Sequence, residues 1–98
     1  MARLAWTEHA LEDLARLADF LAKEDPASAD ATFGLIQQAV GILADHPLIG
    51  RRVSGEQREL VISRGRWGYL ALYEPQANFD RVLVYAIRHQ REAGFEAD

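Results

Sequence analysis

The side chains best suited to move protons or hold a phosphate gather in the second half of the chain, where Arg88 and His89 stand together, Arg91 follows and Arg58 precedes them. Acid-base chemistry near neutral pH requires a side chain that can take up and release a proton, helped by cations that stabilise any developing negative charge. A histidine beside arginines can fill those roles, so His89, Arg88 and Arg58 form the candidate catalytic set; the plainer alternative for His89 is a strand-end histidine bonded to backbone. His9, His46 and His89 are scattered, with no cysteine and no His-x-x-x-His pair, so neither a metal site nor a cofactor is expected. Arg51, Arg52, Arg64 and Arg66 lie near glycines in stretches that read as loops, where they either steer an acidic or phosphate-bearing partner or serve solubility alone.

A chain of 98 residues has room for one hydrophobic core, hence a single domain over 1–98. Hydrophobic residues at 49% and charged residues at 27%, without a Ser/Gly/Pro-rich run, mark a sequence that folds. The absence of cysteine leaves stability to packing and fits an intracellular protein. Met1 to Trp6 lacks the apolar core of a secretion signal, and no run approaches the roughly 20 apolar residues of a membrane span, so a soluble cytoplasmic protein is expected. The net charge of -4 conceals an asymmetry: residues 1–50 hold three basic and eight acidic side chains, residues 51–91 eight arginines and four acids. General nucleic-acid binding is disfavoured, but a local arginine-rich face for an anionic partner is not.

The elements that position these residues follow from periodicity. Ala2 to Trp6 alternates as a short strand. Thr7 can cap a helix whose apolar stripe is Leu11, Leu14, Leu17 and Leu21, and Asp25-Pro26 starts a second helix with Ala29, Phe33, Ile36, Val40 and Leu43 on one side. His46-Pro47 stops that helix at about Asp45, and Gly50 to Glu56 reads as a loop. Arg58 to Ser63, Trp67 to Glu74 and Phe79 to His89 are strand-like and joined by short turns. The reading is α+β, in the order β-α-α-β-β-β, with an antiparallel sheet packed on an α-helical hairpin. Trp67, Tyr69, Ala71 and Tyr73 share one face of their strand and Leu70 and Leu72 the other, while Val82 to Ile87 is apolar throughout. Two helices cover one face, so the other should remain an apolar, aromatic-bearing docking surface unless the tail from Gln90 to Asp98 folds over it.

In this order the residues resemble the ParE/RelE toxin family of bacterial type II toxin-antitoxin systems over nearly the whole chain. The resemblance is carried by Trp6-Thr7, Ala10 and Asp13-Leu14, then by Ala29, Leu43, His46-Pro47 and Gly50-Arg51. Arg58-Glu59-Leu60, Tyr69, Tyr73 and Ile87-Arg88-His89-Gln90-Arg91 complete it. It implies a cognate antitoxin, of the ribbon-helix-helix type, that wraps sheet and hairpin in a hetero-oligomer; Tyr69, Tyr73, Leu14 and Leu17 are then its contacts, Tyr69 and Tyr73 provided that their face is the open one. Arg51, Arg52, Arg64, Arg66, Arg88 and Arg91 are then the candidates for meeting the target. Members similar to RelE cleave messenger RNA on the ribosome, whereas those similar to ParE inhibit DNA gyrase without known nucleolytic chemistry. RelE-like nucleases carry an arginine where this chain has Leu70, a lysine pair where it has Arg51 and Arg52, and a tail tyrosine that Glu92 to Asp98 lacks. A ParE-like gyrase inhibitor acting by protein contact is therefore expected; the alternatives are a metal-independent endoribonuclease using His89, and an inactive member that only binds its partner.

Overall fold

Alternation makes a strand, β1 (Arg3–Trp6), and Thr7 turns it into a helix: its hydroxyl accepts the Ala10 N–H at 3.0 Å and caps α1 (Glu8–Glu24). A computed structural model describes residues 2–64 and 67–89, without the side chains of Ser63, Arg64 and Trp67. The helix buries Ala10, Asp13, Leu17 and Leu21, with Leu14 half-buried against the core and Leu11 53% exposed. The stripe anticipated from the leucines is thus rotated, with Asp13 inside it and Leu11 outside. Pro26–Ser28 forms a 3-10 turn in which Asp25 accepts the Ser28 hydroxyl instead of capping backbone. Next, α2 (Ala29–Gly41) buries Thr32, Ile36 and Val40, and a further 3-10 turn, Ile42–Ala44, contributes Leu43.

The remaining chain is a meander of β2 (Arg51–Ser54), β3 (Gln57–Arg64), β4 (Trp67–Gln76) and β5 (Arg81–His89), to which β1 adds in parallel beside β5. The sheet order is β1-β5-β4-β3-β2. The α+β class and helical hairpin agree with the sequence reading, with two differences. The segment taken as a loop contains β2, a four-residue edge strand exposed throughout, whose lack of apolar alternation left no periodic signal. The pairing of β1 is parallel because the helical hairpin leads into β2 running against β1, and the three reversals of the meander bring β5 back to the direction of β1.

Tyr69, Ala71 and Tyr73 of β4 face the helices with Val82, Val84 and Ile87 of β5, in one cluster that includes Leu17, Ile36, Val40 and Leu43. Val84 and Ile87 share that face despite their odd separation, because the register slips between Leu72 and Tyr73: Tyr73 pairs with Val84, Leu72 with Ala86, and Tyr85 is the extra residue of a bulge.

Strand β1 ends beside Val84, so the last residues of β5 have no strand on that side. The start of α1 replaces it. The Thr7 N–H donates to the Val84 carbonyl at 3.0 Å, the Thr7 hydroxyl to the Tyr85 carbonyl at 3.4 Å, and the Ile87 N–H to Asp13 Oδ2 at 2.9 Å. Asp13, 2% exposed, also takes Arg16 on Oδ1 at 3.1 Å and has His9 Nε2 at 3.5 Å from Oδ2. A carboxylate tolerates such burial only when its lone pairs are used in this way.

Asp13→Ala would strand the Ile87 N–H, at a cost of about 2 kcal/mol and a Tm lower by roughly 10 °C. Asp13→Asn, which keeps an acceptor, should lose less than half of that in urea or thermal unfolding. Equal damage from both would assign the effect to the charges of His9 and Arg16 instead.

Candidate functional site

His89 is fully buried at the end of β5, with the Phe20 ring tilted across it at 5.1 Å and the Tyr69 ring edge-on at 5.0 Å. Arg88 points to the opposite, helix-free face, beside Leu70 and half-buried. Arg58 pairs with Tyr73 and His89 with Tyr69, positions separated by about 13 Å along β4. The candidate catalytic set is therefore divided between two faces and does not converge on one exposed cleft.

Arg58 has structural work instead. One guanidinium nitrogen donates to the Gly50 carbonyl at 2.7 Å and to the Leu48 carbonyl at 3.2 Å, which ties the α2–β2 corner to β3. Beside it the Gly50 N–H donates to the Tyr73 hydroxyl at 2.8 Å. A Cβ at Gly50 would stand 2.6 Å from the Glu59 carbonyl oxygen and 2.7 Å from the Tyr73 hydroxyl, so only glycine fits this approach. Burial pushes the Tyr73 phenol above its ordinary value of 10.0, against the opposing pull of the Gly50 N–H and the Arg58 charge.

Tyr69 and Tyr73 are 1% and 0% exposed and lie under the helices, and Leu17 of α1 is 0% exposed in the same core. Their face is not the open one, which corrects the expectation that these three contact an antitoxin. The aromatic side of β4 offers the larger area to bury, and the helical hairpin covers it. Leu14 is half-buried at the core's margin. Arg51 is exposed and paired with Glu59 at 3.0 Å, and Arg52 is exposed. Arg66 and Arg91 lie outside the described residues, with the side chain of Arg64 and the tail from Gln90 to Asp98.

The sheet face away from α1 and α2 carries an apolar band. Val61 is 52% exposed, Leu72, Leu83 and Tyr85 are half-buried, and Leu70 and Ala86 are each 3% exposed. Arg3, Arg81, Arg88 and Glu74 border that band. Burial and nearby Glu74 raise the Tyr85 phenol as well, and its hydroxyl has no hydrogen-bond partner among the described residues. Apolar centre and charged border suit contact with a protein. The sequence reading missed the roles of Asp13 and Gly50, although both stood in the motifs it used, and missed Phe79 in the β4–β5 turn.

A helical hairpin packed on one side of a meander, with a parallel edge strand added beside its last strand, defines a small α+β domain. Residues 4–94 match the ParE toxin of the type II toxin-antitoxin system parDE, and the chain belongs to this family. It is 37% identical to Toxin RelE3 of Caulobacter vibrioides over 83 residues, 85% of this chain and 88% of that protein. It is 34% identical to Toxin RelE2 of the same organism over 62 residues, 63% of this chain and 70% of the relative. Its fold is similar to a chain of the chromosomal ParDE system from P. aeruginosa, with TM-score 0.69, 22% identity and 89% and 94% of the two chains covered. It is also similar to one in the intact E. coli RelBE toxin-antitoxin complex, with TM-score 0.60, 16% identity and the same coverage.

Gly50→Ala is expected to cost about 2 kcal/mol, because the new methyl meets backbone and a packed ring. A raised folded-state pKa means that Tyr73 keeps its proton after the unfolded chain has lost it. Stability is then intact below pH 10.0 and falls as pH rises through the folded-state value. Tyr73→Phe, less stable at neutral pH through the stranded Gly50 N–H, should show a shallower decline above pH 10 in urea titrations; parallel curves would exclude Tyr73 as a source of the alkaline loss.

Proposed function

We propose that this chain is a ParE-like toxin that inhibits DNA gyrase by protein-protein contact, and that a cognate antitoxin holds it inactive in a cytoplasmic hetero-oligomer. The observation that carries this reading is the employment of the nucleolytic candidates inside the fold: His89 is packed between Phe20 and Tyr69, and Arg58 holds the carbonyls of Leu48 and Gly50. Inhibition by contact needs no catalytic side chain. Leu70, in place of the arginine of similar nucleases, supports the same reading. The band of Val61, Leu72, Leu83 and Tyr85 supports an antitoxin of the ribbon-helix-helix type laid on the helix-free face, and the similar folds of ParDE and RelBE come from toxin-antitoxin systems. Exposed Arg51 and Arg52, with half-buried Arg88, are the cations among the described target candidates.

A ribosome-dependent messenger RNA endonuclease is the second reading, favoured by the 37% identity to a relative named RelE3. Induced expression in a bacterium separates the two. Filamentation, an SOS response and gyrase-dependent DNA breaks are expected, all relieved by the antitoxin from the neighbouring reading frame. Rapid translation arrest with codon-linked cuts in messenger RNA would replace this proposal with the nuclease.

A further inference from the structure

Strand register sets two arginines side by side. Arg3 of β1 pairs with Arg81 of β5, and both are exposed. Paired residues of adjacent strands share a face and stand about 5 Å apart. Their face is the one turned away from α1 and α2, because Leu4 and Trp6, at the alternate positions of β1, pack with Val82 and Val84 in the core. Arg81 donates from Nε and Nη2 to Gln76 Oε1 at 3.2 and 3.0 Å, which orients its guanidinium without neutralising it. Arg3 has no ion pair or side-chain hydrogen bond among the described residues. Asp80, whose carbonyl accepts the Arg3 N–H at 2.9 Å, forms no ion pair with either arginine. Like charges opposed on neighbouring strands destabilise a sheet, so this pair calls for an anion from outside the chain.

The same register places the other charges of this face. Glu74 stands beside Leu83, Arg88 beside Leu70, and Glu59 between Arg51 and Leu72. Arg51 is neutralised by Glu59 at 3.0 Å. Among the described residues Arg3, Arg81 and Arg88 are then set against Glu74 alone, an excess of two positive charges on one face of a chain whose net charge is -4. Arg52 and Arg58 belong to the opposite face with Tyr73, and Arg58 is committed to the Leu48 and Gly50 carbonyls.

What adjoins the pair indicates the source of the anion. Leu83, two residues from Arg81, begins the apolar band that continues through Leu72 and Tyr85. A nucleic-acid backbone gains nothing from that band, meets Glu74 at its border and is repelled by the net charge of the chain. A protein segment that carries a carboxylate next to apolar side chains satisfies both the arginines and the band. We propose that Arg3 and Arg81 form a clamp for a carboxylate of the antitoxin, on an aspartate or glutamate whose apolar neighbours lie on Leu83 and Leu72. The proposal rests on the reading that a cognate antitoxin binds this chain.

Arg3→Glu tests it, because stability and binding should move in opposite directions. The substitution turns a repelling pair into an attracting one, so the Tm of the purified full chain should rise by about 2 °C. Its Kd for the antitoxin from the neighbouring reading frame, measured by isothermal titration in low salt, should weaken by about 30-fold. Arg3→Gln, which removes the charge without reversing it, should lie between Arg3→Glu and the parent. Lys23→Glu, a reversal at an exposed position of α1, should bind like the parent. Parent-like affinity in both Arg3 variants would overturn the proposal and leave the toxin-antitoxin reading intact. A parent that fails to bind the antitoxin would remove that reading and the proposal together. A lowered Tm in Arg3→Glu would show that the pair is not a repelling one, and a loss in Lys23→Glu equal to that in Arg3→Glu would assign the effect to bulk charge; either result overturns the clamp. Binding of oligouridine that Arg3→Glu abolishes, with antitoxin affinity kept, would transfer the two arginines to nucleic acid.

Discussion

The open flank of β5, beyond the point where β1 runs out, is the constraint on which the arrangement depends. A strand inside a sheet presents N–H and C=O groups on both sides, and burial without partners would cost more than packing returns. Thr7 and Asp13 supply those partners from the first turns of α1. The helix is consequently held against β5 at a fixed rotation, with Leu17 and Leu21 inward, Leu11 outward and Phe20 over His89. One buried carboxylate thus determines which side of an otherwise leucine-rich helix becomes core.

The same demand for partners governs His89 and Arg58. A buried histidine and a half-buried arginine are stable only if enclosed or bonded, and His89 and Arg58 meet that requirement in different ways. His89 is wrapped in aromatic rings; Arg58 spends its donors on two carbonyls of the corner that Gly50 and Tyr73 close. Cations that look available in a list of arginines are partly fastenings of the fold. What lies on the far side of the sheet is an apolar band with a charged border, a composition suited to contact with a protein.

The opposite face also shows why such a domain has reason to keep company. Val61, Leu72, Leu83 and Tyr85 have no helix over them among the described residues, and a second apolar region lies at the Phe79 end. Apolar surface of this kind is consistent with membership of the ParE toxin family of type II toxin-antitoxin systems.

Local pattern determined much of this protein. The threonine cap, the Pro26 start, the His46-Pro47 stop and the alternation of β4 act within a few residues, so the α+β class, the helical hairpin and the family resemblance could be read from order and spacing. Only the tertiary structure decided which face of β4 the helices cover, because both faces are apolar and alternation alone is symmetric. It also decided that β2 is a strand, that Tyr85 is a bulge, that Asp13 belongs to a strand edge and that Phe79 is held outward. Each of these rests on a hydrogen bond, pairing or packing contact between residues far apart in sequence, or on a backbone conformation that its own residue types disfavour, and no periodicity within a short window encodes either.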